Sequence, residues 1–169
     1  EILKLITDES NISVVTRTLF NDMLSISTAY LKEMTPSVCQ IIELNASNKV
    51  FYFDWMLKVM SIAGNYVSDE SVYSLVNLVI VTPEMHAYAL YKLYYAVLDN
   101  QVQEGLVKTL FWLAGEFCTI FFTGIDPHTK QSLPQISESK LVELMLEVCK
   151  TIKSSGARQI TLNSLMKIE

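Results

Sequence analysis

The run FWLAGEFCTIFFTG, residues 111–124, constrains this chain most: it is apolar throughout except for one carboxylate, Glu116, at its middle. A membrane-spanning helix needs roughly 20 predominantly apolar residues. Here Lys108 and Glu116 leave seven uncharged residues between them, and Gly124-Ile-Asp ends the run. On that count a spanning segment fails. The run reads instead as a helix from about Gln103 to Thr123, apolar nearly all round and covered on several sides. Gly124 then supplies its C-terminal stop, and Gly115 lets a neighbouring helix approach closely. Glu116 is expected to be buried. It would need a hydrogen-bond partner on a neighbouring helix, because an unpaired buried carboxylate is costly and tends to protonate. Trp112, if its ring is buried, would cost roughly 3–5 kcal/mol on truncation to Ala.

The rest of the chain suits the same kind of packing. Half of its 169 residues are hydrophobic and 18% are charged, with only 5 Gly and 4 Pro, so long helices are favoured over many short strands. Asn11 can cap a helix in which Ile12, Val15, Leu19, Met23 and Ile26 share one face. TAYLKEMTPSVCQIIELNA continues the pattern, and Pro36 either kinks it or restarts it with Thr35 as cap. VFYFDWMLKVMSIAG stops at Gly64. Ser68 caps DESVYSLVNLVIV, with acids in the first turn. Thr82-Pro83-Glu84 opens MHAYALYKLYYAVLD. After the apolar run comes the loop GIDPHTKQSLPQ. Ser137 then caps ESKLVELMLEVCKTIKSS, Gly156 ends it, and ARQITLNSLMKIE forms a final helix.

Roughly eight helices therefore pair as 11–46, 50–81, 83–123 and 137–169. Units of roughly 30–45 residues predict an all-α, HEAT/armadillo-like helix-pair solenoid over residues 1–169, with a compact helical bundle as the alternative. The chain opens EILKLITDES, with no initiator Met and no signal-peptide pattern. It reads as a piece of a longer protein that starts inside or beside a helix.

Chemistry is hard to find. A net charge of -5 argues against a nucleic-acid groove. The densest basic stretch, Lys150, Lys153 and Arg158 with Lys167 beyond, reads as helix-end charge preference. Cys39, Cys118 and Cys149 are odd in number and far apart, which suits a reducing compartment rather than a disulfide framework. Asn11-Ile-Ser and Asn45-Ala-Ser match the glycosylation sequon but lack a secretory signal. His86 and His128 have no ligands at metal-binding spacing, and no nucleophile, phosphate-loop or dinucleotide motif is present. No catalytic, cofactor-binding or metal residue is assigned, and no binding residue is named.

Aromatic residues give the sharper signals. Tyr88, Tyr91 and Tyr95 form a stripe at helical spacing, and burial is the ordinary reading of such a stripe. Tyr73-Ser-Leu-Val76 and Tyr95-Ala-Val-Leu98 fit a tyrosine-based sorting pattern but fall on predicted packed helices. In VFYFDWM, Phe51, Tyr52, Phe53 and Trp55 cannot all face one core stripe. Some must meet a second layer of helices or another subunit.

Residues 61–100 and the segment after them carry a resemblance. AGNYVSDESV, EMHAYALYKLY and LVKTLFWLAGEF, in this order and spacing, resemble the trunk of the gamma-adaptin family, large subunits of heterotetrameric clathrin adaptors. The likeness extends in part to SGARQITLNSLMKIE and to NISVVTRTLFNDML. Phe117-Cys-Thr departs from the family's aromatic-glycine-acid run after Gly115-Glu116, as Pro36 and the aromatic VFYFDWM depart elsewhere, so a divergent member is implied.

The resemblance implies a structural scaffold that is not an enzyme and carries no cofactor. Its implied partners are small, medium and beta-type adaptor subunits. Through the full complex it would meet a small GTPase, a phosphoinositide, clathrin and cargo tails. The implied location is the cytoplasmic face of trans-Golgi network and endosome membranes, in peripheral association. A nuclear transport receptor or a different coat subunit is the alternative solenoid.

Overall fold

The computed structural model describes residues 6–8 and 10–168. The opening EILKL, read above as starting in or beside a helix, lies outside the described residues, as does Glu169. Among the described residues eight α-helices follow one another: α1 (Ile12–Ser25), α2 (Thr28–Asn45), α3 (Lys49–Ala63), α4 (Asp69–Ile80), α5 (His86–Asp99), α6 (Glu104–Thr123), α7 (Glu138–Thr151) and α8 (Ser155–Ile168). Short 3-10 turns, Gly64–Tyr66 and Pro83–Met85, lead into α4 and α5. The one strand-like feature among the described residues is an isolated bridge between Ile125 and Ser132 in the loop after α6.

Helices pack on their chain neighbours, and several also on the next but one. Helix α1 meets α2 and α3, α3 meets α5, α4 meets α6, and α6 meets α8. That pattern belongs to stacked helix pairs, in which each unit buries its apolar face against the next. The fold is all-α and solenoid-like, and the predicted pairs hold. Helix α6 lies at the centre, against α3, α4, α5, α7 and α8.

Local signals set several ends. Ser68 Oγ accepts from Ser71 N–H at 3.2 Å, and Ser137 Oγ accepts from Lys140 N–H at 3.4 Å. Gly124 closes α6 in the left-handed region, φ 61°, with its N–H on the Ile120 carbonyl. Gly115 provides the expected close approach: a Cβ there would stand 3.1 Å from Ser164 Oγ and 3.2 Å from Ser164 Cα on α8.

Other ends differ from expectation. Asn11 stands at the start of α1 but its side chain makes no cap; it accepts from Asp8 N–H at 3.0 Å and donates to the Ile6 carbonyl. The Asp8 carboxylate takes the cap role one turn earlier, accepting from Ser10 and Asn11 N–H. Helix α2 does not restart at Pro36. Thr35 cannot act as a cap, because its hydroxyl donates back to the Leu31 carbonyl at 2.6 Å. An interior Pro costs about 3 kcal/mol, offset here by Val38, Cys39, Ile41 and Ile42 in the core beyond it.

Gly64 ends α3 in a right-handed conformation, φ -58°, and the chain continues into a 3-10 turn. Its value lies in closeness: a Cβ on Gly105 would come within 3.0 Å of the Gly64 carbonyl. Gly156 does not end α7, which stops at Thr151; it sits in the first turn of α8 instead.

Candidate interaction surfaces

Helix α6 decides where polar chemistry can sit. By length and composition alone it does reach the range of a spanning segment, so the charge count does not exclude one. Packing accounts for its apolar character. Leu106, Val107, Leu110, Phe111, Leu113 and Ala114 are fully buried against the neighbouring helices.

Glu116, expected to be buried, lies on the remaining exposed strip. Its side chain is 39% exposed and pairs with Lys167 of α8. The expected partner on a neighbouring helix exists, but the carboxylate stays solvated, because α8 crosses α6 through small residues and leaves a groove beside the ion pair. That groove, about 510 Å³, is lined by Trp112, Ile160 and Met166. Trp112 is half-buried rather than buried, with its ring edge-on to Tyr73 at 5.3 Å.

Just beyond Glu116 the helix is broken at Phe117, φ -127° and ψ 22°. Here the Phe117 ring stacks on His86, centroids 3.9 Å apart, while His86 Nε2 lies 3.3 Å from the Ile80 carbonyl. His86 is therefore a packed helix-start histidine. At His128 the backbone N–H donates to Asp126 Oδ1, and Thr129 Oγ1 donates to Asp126 Oδ2 at 2.6 Å. Those bonds, Thr129's first, hold the Asp126 carboxyl below its usual range. This is turn chemistry, as the sequence suggests.

The tyrosine stripe divides. Tyr88 donates to Asp54 Oδ1 and Tyr91 to the Pro134 carbonyl, each at 2.7 Å, while Tyr95 is half exposed. Burial, reinforced by the Asp54 carboxylate, pushes the Tyr88 phenol up to about 12. In VFYFDWM a second layer is supplied by α1: Phe20 meets Trp55 edge-on at 6.1 Å, and within α3 Lys58 Nζ lies 4.1 Å from the Trp55 ring centre.

Cys39 is buried, and burial first, then the negative charge of Glu43, pushes its thiol up to about 12, far from a reactive thiolate. Of the basic stretch, Arg158 Nε donates to the Ile152 carbonyl, and Lys150 occupies the last turn of α7. Among the described residues no three His, Cys, Asp or Glu side chains converge on a metal position.

Sequence reasoning missed the contacts that tie distant helices together. Ser164 Oγ donates to the Phe111 carbonyl at 2.6 Å inside the α6–α8 contact. Lys108 Nζ pairs with Asp69 at 2.8 Å, joining α6 to α4. The first turn of α6 has no cap of its own; Asn65 Oδ1 accepts from Glu104 N–H at 2.9 Å. The pattern offered no signal for these, since each joins residues far apart in the chain.

The surfaces are thus those of a packing module, and the chain has relatives among known proteins. The family described as Adaptin N terminal region matches residues 1–168. AP-1 complex subunit gamma-1 of Mycosarcoma maydis is 30% identical over 169 residues, 99% of this chain and 19% of that protein. AP-1 complex subunit gamma of Dictyostelium discoideum is 32% identical over 176 residues, with the same 99% and 19% coverage. AP-1 complex subunit gamma-like 2 of Homo sapiens is 30% identical over 128 residues, covering 73% of this chain and 16% of its own length. The chain thus spans about a fifth, or less, of the length of these relatives. With a family match along nearly its whole length and stacked helix pairs throughout, the chain belongs to the adaptin N-terminal-region family and is gamma-adaptin-like.

Proposed function

We propose that the chain is a scaffold segment of a clathrin-adaptor large subunit, one stretch of a longer α-solenoid trunk that acts in vesicle-mediated protein transport. The observation that carries this reading is the family match over residues 1–168 on a body of stacked helix pairs. The relatives are named as subunits of an adaptor complex, which supports reading the chain as a non-enzyme.

In this reading the partners are the small, medium and beta-type adaptor subunits. The small GTPase, clathrin and cargo tails are met through the whole complex. The complex sits peripherally on the cytoplasmic face of trans-Golgi network and endosome membranes. A nuclear transport receptor is set aside, since the chain is an adaptin.

Co-expression of the full-length protein with small, medium and beta-type adaptor chains from one organism tests the proposal. A stable four-chain complex on size exclusion is the expected result. A large subunit that elutes alone, while a known gamma chain assembles in parallel, would sink it.

A further inference from the structure

Helices α6 and α8 run side by side in the same direction, since Phe111 meets Ser164 and, further along both, Glu116 meets Lys167. The groove between them, about 510 Å³, is walled by two stripes at helical spacing. Ile160, Asn163, Ser164 and Lys167 stand at i, i+3, i+4 and i+7 on α8, and Trp112 and Glu116 at i and i+4 on α6. Met166, 78% exposed, completes the wall. Trp and Met are both enriched where proteins meet.

Hydrogen-bonding capacity is left over beside this apolar surface. The indole N–H of Trp112 makes no hydrogen bond among the described residues. The one buried, unbonded side-chain polar atom among them is the Tyr52 hydroxyl, so the indole nitrogen of the half-buried Trp112 ring is open to solvent. Asn163 is exposed, and its amide forms no bond among the described residues. Glu116 gives Oε1 to Lys167 and keeps Oε2 free, while Ser164 is already committed to the Phe111 carbonyl. The charges, by contrast, are matched. Glu116 and Lys167 neutralise each other, and one turn before Trp112 Lys108 is paired with Asp69. Arg158 does not line the groove and reaches back to the Ile152 carbonyl.

We propose that the groove receives an extended, uncharged, apolar segment of another polypeptide, lying between α6 and α8 with its side chains on Trp112, Ile160 and Met166. Charge complementarity sets the first condition: a charged segment would be desolvated with no unmatched counter-charge to meet it. The unused donors set the second. A helical segment satisfies its own main chain, and it would cover the indole N–H and the Asn163 amide without bonding them. An extended segment presents its main chain sideways, so its carbonyls accept from Trp112 and Asn163 while an N–H donates to Glu116 Oε2. A phosphate or lipid headgroup, which needs a spare cation, finds none unmatched in the lining. This docking role is independent of the adaptor reading.

Titration of the isotope-labelled chain with acetyl-Ser-Val-Pro-Leu-Ser-amide, which is uncharged and kept extended by its proline, tests this by NMR. The chain has two tryptophans, so the indole N–H of Trp55 is the internal control. Saturable movement of the Trp112 indole N–H and the Asn163 amide is expected, with Trp55 unmoved. Asn163→Ala, an exposed change that leaves the melting temperature level, should weaken binding about fivefold, the worth of one hydrogen bond. The same peptide with aspartates for its serines should bind less well to the native chain and better to Glu116→Gln, in which Lys167 has lost its counter-charge. A still Trp112 signal at millimolar peptide, equal movement at Trp55, or the same peptide preference in Glu116→Gln as in the native chain would each overturn the proposal.

Discussion

Helices α3 and α8 are nearly equal in length, 15 and 14 residues, yet they are held by opposite means. Helix α3 buries large side chains around most of its circumference, with Phe53, Met56, Val59 and Met60 wholly inaccessible. Helix α8 buries Ala157, Thr161 and Ser164, while Leu162 and Met166 stay exposed at 57% and 78%. In α3 stability comes from apolar area removed from water. In α8 less apolar area is covered, with Ile160, Leu165 and Ile168 only partly buried, and close backbone approach over Gly115 and one buried serine bond add to it. The same array thus contains a contact that fails when emptied and a contact that fails when filled.

Substitutions can break or sharpen that contrast. The largest effect is expected for Phe53→Ala, which leaves a cavity in the core; a loss of roughly 3–5 kcal/mol should appear in chemical denaturation. Gly115→Leu attacks α8 from the opposite direction. Its side chain has no room against Ser164, and overpacking of this kind costs roughly 1–3 kcal/mol. If Gly115→Leu were neutral, the α6–α8 contact would be looser than its distances imply.

Trp112→Ala lies at the edge of the same contact. A half-buried ring edge-on to Tyr73 should cost about 1–2 kcal/mol by denaturant melt, near the middle of the range for single substitutions and below that for a fully buried ring. Ser164→Ala removes the hydroxyl that donates to the Phe111 carbonyl, and about 1 kcal/mol is expected, since that carbonyl can keep its helical partner. The smallest effect belongs to Glu116→Gln. With 39% and 52% of the two side chains exposed, the pair with Lys167 is worth at most about 1 kcal/mol, and the difference should shrink in high salt.

The contrast also explains which expectations held. Many of those resting on a helix's own residues held: the apolar stripe of α1 around Ile12, Leu19 and Met23 is buried, and Ser68, Ser137 and Gly124 sit at real helix ends, although the Asn11 cap, read by the same local rules, did not. Those resting on the neighbour divided: Gly115 meets α8 closely and Glu116 finds a partner there, but the burial of Glu116 did not hold. Glu116 was expected to be buried because its own helix is apolar, yet its exposure is set by how little of α6 the narrow α8 covers. Gly156 looks like a stop, but the stop falls at Thr151, and the glycine is absorbed into the next helix.

Sequence alone determined that this chain is a series of paired helices, roughly where each begins and ends, and the family it resembles. Capping bonds, Pro and Gly dihedrals and the 3.6-residue stripe act over one or two turns, so they are written locally. The tertiary structure alone decided which faces are covered, that α2 runs through Pro36, that Asn65 caps α6 from 39 positions away, and that Phe117 breaks the central helix against His86. Burial and hydrogen-bond satisfaction are properties of neighbours in space, and a solenoid takes those neighbours from the helix pairs before and after.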